Sequence, residues 1–436
     1  MGVSGREHAF EYRTFYTWDH STNWDLSQPG QRVSGCFEAY AKPAEAFVED
    51  YRRLMDFMRR VGMNHVIIWG ALRDAHGGVE ALRRVIEIGR EKGVRVAPGV
   101  GINSYGGVHW EGEHEYSLNR LLRERPDLAA VDAEGKPFVG SRRQRRSVAC
   151  PRNPEALEWR LASLRWLMEE LSPDAIHFET GDYGVCHCER CRSAGDREVR
   201  ASEDDLANAL PPMIAEVRKY SKDCWLSYNH YDGYTRAMSE DPPAFATAIP
   251  DDVICKWGVS WMLEPSIQAA HSHRWEPAEK MDPSFGPPTK ESMAHLHFGT
   301  GWWSCSKRGT IEIERFFRYM PLLAQVGFQG VCTHGEDSEL FPVAELNFHV
   351  YAALAEDPTA MPEAIAERSV GELLGDKDLA TDLLRAYKEA SLPRDLPPRF
   401  ARAAAQAEGQ RKIRLNRITY LLHHYEQDLR YHPRGE

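Results

Sequence analysis

Short apolar runs of β-branched and aromatic residues recur along the chain, separated by stretches in which apolar positions return every three to four residues. Eight such runs stand out: RTFYTW (13–18), HVIIWG (65–70), RVAPGVGI (95–102), AIHFETG (175–181), CWLSYNH (224–230), VICKWGV (253–259), HLHFGTGWW (295–303) and FQGVCTHG (328–335). Between them, Phe47, Tyr51, Leu54, Met58 and Val61 keep helical spacing, as do Leu157, Leu161, Leu164, Met168 and Leu171, and Phe316, Met320 and Leu323 precede the eighth run. Strands alternating with helices imply βα units on a parallel sheet, and eight of them predict an α/β fold, a (β/α)8 TIM barrel. From about Pro342 the strand signal stops. AELNFHVYAALAE, ATDLLRAYKEA and QRKIRLNRITYLLHHYEQDLRYH read as helices, so the expected division is a catalytic barrel over 1–342, then the last barrel helix and a helical C-terminal appendage over 343–436.

Two connections are long. The third, from Asn103 to Pro151, contains RPDLAAVDAEGKPF, whose turn residues predict a small hairpin excursion. The sixth, around EPSIQAAHSHRWEPAEKMDPSFGPPTK, is rich in Pro, His and Trp.

Composition narrows the function. A chain of 436 residues with 42% hydrophobic residues, 12 Trp, 17 Tyr and 16 Phe supports a large core and a surplus of aromatic faces. The net charge of −11 argues against a nucleic-acid partner, and RRQRR (142–146) is too short to make a basic face. No stretch reaches the roughly 20 apolar residues of a membrane span. The start lacks the apolar core of a secretory leader, so a cytoplasmic location is expected unless a leader has been removed.

In such a barrel, catalysis belongs at the C-terminal ends of the strands. Read in turn, those ends offer Asp19 and His20, Trp69, Asn103 and Tyr105, Glu179 and Asp182, Asn229, His230 and Asp232, Lys256, Trp257 and Trp261, Trp302 and Trp303, and His334, Glu336 and Asp337. Aromatic faces among carboxylates and amides suit a sugar, whose C–H faces stack while its hydroxyls demand polar partners. Carbohydrate is therefore the expected substrate. Glycosidic hydrolysis needs two carboxyl groups, and Glu179 with Asp182, three residues apart around Gly181, is the expected catalytic pair. Asp182 alternatively caps its loop. Glu336 and Asp337 form a second acidic pair, expected either to bind substrate or to close the THGEDSEL turn.

The nine cysteines are spaced like metal ligands rather than a disulfide framework. Cys186, Cys188 and Cys191 form C-x-C-x-x-C, and Cys150 is the best fourth ligand for a closed, structural zinc site, with His187 as a substitute ligand and buried thiols as the plain alternative. A site of four thiolates leaves no position for substrate, so sulfur would be scaffold.

An upstream Cys, a strand ending in a carboxylate and C-x-C-x-x-C soon after resemble the zinc-bearing β-galactosidases of glycoside hydrolase family 42, over about residues 148–192. That resemblance implies Glu179 as acid/base and Cys150, Cys186, Cys188 and Cys191 as zinc ligands. The chain departs from the family in having Phe178 where an Asn precedes the acid/base, and in lacking a glutamate in HFGTGWWSCSK. An acidic pair after the fourth strand also resembles the hexosaminidases of family 20. By that likeness Glu179 and Asp182 share donor and orienting roles, although the family's adjacent Asp-Glu is absent.

Two rival readings stay open. A metal-dependent sugar isomerase or epimerase would gather Glu179, His230, Asp232, His334 and Glu336 around a divalent ion. A sugar-binding barrel without turnover would keep the tryptophans alone. The amphipathic segment from Ile413 to Leu429 packs either on the barrel or against a second subunit, and a homodimer is the expected partner.

Overall fold

The computed structural model describes residues 10–25, 27, 42–139, 147–180, 186–194, 206–230, 248–259, 287, 290–296 and 311–425. Eight parallel strands close a barrel in sequence order: β1 Tyr12–Trp18, β2 His65–Trp69, β3 Arg95–Gly101, β4 Ala175–Glu179, β5 Trp225–His230, β6 Ile254–Gly258, β7 Ser292–Leu296 and β8 Gly330–His334. Pairing of β1 with β8, from Tyr12 opposite Gly330 to Tyr16 opposite His334, completes the ring. The strands are short and buried on both faces, as parallel strands under a helical layer must be.

Side-chain alternation splits each strand between two apolar layers. Tyr12, Tyr16, Trp18, Ile67, Trp69, Ala97, Ala175, Ile254, Met293 and Cys332 pack together inside the barrel. Phe15, Val66, Ile68, Val96, Ile176, Phe178, Leu226, Trp257, Leu296 and Val331 face the helices.

Those helices include α1 Ala44–Val61, α2 Gly78–Lys92, α3 Leu118–Glu124, α4 Pro154–Leu171, α5 Glu189–Arg192, α6 Leu210–Arg218, α7 Ile313–Val326 and α8 Pro342–Glu356. On α1 the spaced apolar residues Phe47, Tyr51, Leu54, Met58 and Val61 are all buried. On α4 the buried face runs through Arg160, Leu164, Leu167 and Leu171, so Leu157 and Leu161 are only half-buried. The third connection forms the expected excursion: Val131 and Pro137 bridge antiparallel around a turn in which Gly135, at φ 82°, donates to the Asp132 carbonyl at 3.0 Å.

The seventh strand corrects the sequence reading, since it is SMAHL, beginning three residues before the run HLHFGTGWW. Its polar letters disguise it. Ser292 faces the helices and accepts a hydrogen bond from Trp257 Nε1 at 3.3 Å, while His295 turns inward. Residues 297–303 lie outside the described residues.

Beyond α8 come α9 Pro362–Ile365, a π-turn over Ala366–Val370, α10 Gly371–Leu374, α11 Lys377–Lys388, α12 Leu396–Gln406 and α13 Gly409–His423. Among the described residues there is no second sheet, and none of the helices is long and apolar enough to cross a membrane.

Candidate active site

Glu179 ends β4 and is 2% exposed. Period two turns it inward with His177, beside Gly101 of β3. Tyr16, inward on β1, donates its hydroxyl to Glu179 Oε2 at 3.3 Å. His177 Nε2 lies 3.6 Å from the same oxygen, and its Nδ1 lies 2.8 Å from Ser227 Oγ. Burial, with the nearby Lys256 charge, holds His177 well below the ordinary imidazole pKa. The ring is therefore neutral at pH 7.

Lys256 reaches inward from β6. Its Nζ lies 2.9 Å from His295 Nδ1 and 4.4 Å from the centre of the Tyr16 ring. Burial lowers its pKa, and the Glu179 carboxylate opposes that shift. On β8, His334 Nδ1 lies 3.2 Å from Glu336 Oε1, which also accepts the Trp18 backbone N–H at 3.2 Å. Glu336 Oε2 is buried with no hydrogen-bond partner, as are both amide atoms of Asn229 on β5. Buried polar atoms are nearly always paired, so such atoms in a barrel mouth await a partner.

Asp19 follows β1 in a fully buried polar knot. Arg73 Nε and Nη2 both donate to it, the latter at 3.3 Å, while His76 Nε2 and His20 Nδ1 lie 3.1 and 3.3 Å away. Burial opposes its ionisation, but the Arg73 guanidinium and the two imidazoles outweigh burial and hold the carboxyl well below the usual range. Arg73 also bonds Glu111 at 2.6 Å. Asp19 and His20 thus brace the loop after β1, with Asp19 locked as an anion.

Above this knot stands an aromatic wall. Ring centres of Trp18 and Trp69 are 5.8 Å apart, Trp69 and Trp110 5.5 Å, and Trp18 and Trp110 6.1 Å. Tyr105 stacks on Trp110 at 5.9 Å. Gly99 makes room for Trp69, because a Cβ there would stand 2.8 Å from the indole ring. Tyr105 has φ 50°, a strained backbone for a bulky residue and of a kind that gathers at functional sites.

The residues named from sequence divide accordingly. Glu179, Trp69, Tyr105, Asn229, His334 and Glu336 meet at the mouth with Tyr16, His177, Lys256 and His295. Trp257 does not: it alternates with Lys256 and faces the helices, because a one-residue offset on a strand reverses the face. Asp337 is buried and its backbone bridges Asn23. Asp182, Asp232, Trp261, Trp302, Trp303 and the side chain of His230 lie outside the described residues. Trp18 and Trp110 were not anticipated. Parity from Tyr16 would have flagged Trp18, whereas Trp110 sits in an irregular connection that carries no period.

The cysteines do converge. One sulfur from each of Cys150, Cys186, Cys188 and Cys191 lies within 4.8 Å of the others. Cys150 Sγ is 3.7 Å from Cys188 Sγ and 3.6 Å from Cys191 Sγ. A tetrahedral zinc with bonds of about 2.3 Å sets sulfur–sulfur edges of about 3.8 Å, so the donor set fits that ion. Around them pack Ala130, Val131, Phe138 and Val148 of the third connection. The backbone ties the same parts together, with Cys150 N donating to Leu128 O and His187 N to Val131 O, each at 2.8 Å. His187 is not one of the converging ligands. Among the described residues no other His, Cys, Asp and Glu side chains gather this closely.

No family model matches the chain, and no curated protein matches it in sequence. Among solved structures it is similar to a family 138 glycoside hydrolase targeting pectin rhamnogalacturonan II, at 11% identity and a TM-score of 0.55, covering 98% of this chain and 57% of that one. This chain therefore spans little more than half of that enzyme's length. A β-N-acetylhexosaminidase from Bacteroides fragilis aligns at 13% identity and a TM-score of 0.47, covering 84% of this chain and 70% of its own. A maltogenic α-amylase from Thermotoga neapolitana aligns at 10% identity and 0.46, covering 79% and 76%. The first likeness shows the fold alone, and the other two are too loose to add to it.

Proposed function

We propose that the protein is a glycoside hydrolase whose proton donor is Glu179. The observation that carries this reading is the placement of a buried carboxyl at the end of β4, hydrogen-bonded to Tyr16 and set among inward polar groups beside a wall of aromatic rings. In the proposed reaction, protonated Glu179 gives its proton to the leaving oxygen as the bond to the anomeric carbon breaks. A second carboxylate meets the positive charge left on the sugar. Asp182 is the sequence candidate for that role, and Glu336, with one buried oxygen unbonded, is the described one. The neutral His177 and the Tyr16 hydroxyl fix the donor's orientation. The aromatic rings stack on sugar faces and exclude water. That an enzyme of similar fold targets pectin rhamnogalacturonan II is consistent with this reading and makes pectin fragments worth including among substrates.

Zinc belongs to the same proposal, as scaffold. Bound by Cys150, Cys186, Cys188 and Cys191, it would fasten the segment after Glu179 to the third connection and so hold one rim of the mouth in place. The test of function is a screen of chromogenic glycosides that includes uronic acids and 2-acetamido sugars. Turnover of at least one glycoside by protein that retains its metal and fold supports the proposal. Turnover of none across the panel, by protein that retains its metal and fold, contradicts it.

A further inference from the structure

A cavity of about 590 Å³ lies on the outside of the barrel, between α1, α8 and the C-terminal helices. Its wall takes a guanidinium from each of three separate parts of the chain: Arg60 near the end of α1, Arg368 in the π-turn and Arg414 on α13. Each already holds one carboxylate, Arg60 through Nη2 on Glu339, Arg368 through Nη2 on Glu356, and Arg414 through Nε on Glu345 at 2.8 Å. They are spent to different degrees. Arg414 also donates Nη1 to the Leu373 carbonyl at 2.7 Å, whereas Arg60 and Arg368 each commit a single nitrogen among the described residues and keep Nε and Nη1 for another acceptor. Burial pushes Glu345 up to about 7, so near neutral pH the Arg414 charge is only partly cancelled.

Two more polar groups in the same wall lack partners: His349 Nδ1 and Ser369 Oγ are buried without a hydrogen bond. Buried polar atoms are nearly always paired. Burial, with the charges of Arg60 and Arg414, pushes His349 down to about 4, so its ring is neutral at pH 7 and can donate from Nδ1. Ser369 and Arg368 both belong to the π-turn Ala366–Val370, a departure from the α-helical ladder of a kind frequent at functional sites, and this one brings both side chains to one cavity. Arg60, Arg368, His349 and Ser369 can all donate. A metal ion is disfavoured, because Glu339 and Glu345 are each held by an arginine. A neutral polyol would leave the two guanidinium forks without the planar, charged acceptor that they fit. We propose that this cavity binds a small oxyanion, a phosphate or a carboxylate, held by the free edges of Arg60 and Arg368 and by Ser369 and His349. The shared chemistry is a cluster of charged oxygens that accept several hydrogen bonds at once. The ion would tie α1 of the barrel to the π-turn of the C-terminal appendage.

The test uses the full-length protein in a buffer free of phosphate and carboxylates at pH 7. Calorimetric titrations with sodium phosphate and with sodium malonate, at an ionic strength fixed by sodium chloride, should show at least one of the two binding saturably at one ion per chain. Comparison of the two identifies which oxyanion is preferred. The same ion should raise the melting temperature as its concentration rises, because it binds the folded chain alone. Arg60→Met and Arg368→Met should each weaken binding roughly tenfold or more, in line with the loss of a charge-assisted hydrogen bond. Arg368→Lys, which keeps the charge and loses the fork, should weaken it too. The ion pairs that these changes break are between half-exposed side chains, so the variants should stay folded, which circular dichroism checks. Ser369→Ala removes a hydroxyl alone and should weaken binding severalfold, which keeps the test open should a guanidinium variant not fold. Arg120→Met, which takes a guanidinium from α3, should bind as the wild type does. Failure of both ions to bind the wild type saturably overturns the site. So does unchanged affinity in the folded Arg60, Arg368 and Ser369 variants, or an equal loss in Arg120→Met.

Discussion

Tyr16 and Glu179 stand on β1 and β4, 163 residues apart in sequence, and meet inside the barrel through a 3.3 Å hydrogen bond from the phenol to Oε2. The phenol thereby orients the carboxyl at the end of β4. It also links the carboxyl to Lys256, whose ammonium lies over the face of the same phenol ring. Tyr16→Phe should lower kcat/KM by up to about tenfold, the net worth of one neutral hydrogen bond. The same change made in Glu179→Gln protein should have no further effect. A double-mutant cycle measures this coupling, and additive losses would mean that Tyr16 works elsewhere.

Arg73 is the partner that permits a fully buried Asp19 charge. Arg73→Met should destabilise the protein by about 3–5 kcal/mol, the usual penalty of stranding one member of a buried pair. The pH dependence has a definite sign. Asp19 has a lowered pKa in the folded chain, so its contribution is complete above the ordinary carboxylate pKa and is lost as pH falls. In the variant Asp19 gains from protonation, so the gap from wild type should narrow in acid. Urea unfolding at pH 7 and near pH 4 would show this, and a constant gap would count against it.

Glu345 on α8 pairs with Arg414 on α13 at 2.6 Å, joining the barrel to its C-terminal helices. Burial pushes the Glu345 carboxyl up to about 7, with Arg414 opposing. The folded chain then holds a proton that the unfolded chain releases near 4.5, so stability attributable to this group declines as pH rises from about 4.5 to about 7. Relative to Glu345→Gln, wild type should lose on the order of 3 kcal/mol across that interval. Unfolding free energies of both proteins across the pH range provide the check, and parallel curves would refute it.

The zinc account predicts one ion per chain by elemental analysis. Cys188→Ser should release it and lower the melting temperature by several degrees, because a structural site contributes directly to folding. Residual activity should survive, since no catalytic atom is a sulfur. Purified protein without metal, or a Cys188→Ser variant with unchanged melting, would exclude the site.

How much of this was legible in sequence follows from strand parity and chain distance. Seven of the eight runs coincide with strands because parallel strands covered on both faces are rich in β-branched and aromatic residues. SMAHL escaped because its Ser and His are satisfied by partners that only the fold supplies, Ser292 by Trp257 and His295 by Lys256. Trp257 looked like a mouth residue by its place near a strand end, but side-chain alternation puts it behind the sheet. The cysteine cluster was readable from short spacing plus Cys150, whereas Arg73 closing on Asp19 across 54 residues left no local trace. The same holds for Tyr16 on Glu179. Helix α12, which opens on Leu396-Pro-Pro, falls within the segment expected to be helical, since the first turn of a helix tolerates its prolines.

The central claim, that Glu179 protonates the leaving group, is tested most directly by comparing Glu179→Gln with wild type on two glycosides of the same sugar. One should carry a poor alkyl leaving group and the other an activated aryl group. The account predicts a loss of roughly 10² to 10⁴ for the alkyl glycoside, while the bond-breaking step of the aryl glycoside, which needs no proton, stays near the wild-type rate. Equal loss on both substrates, or no loss on either, would contradict it.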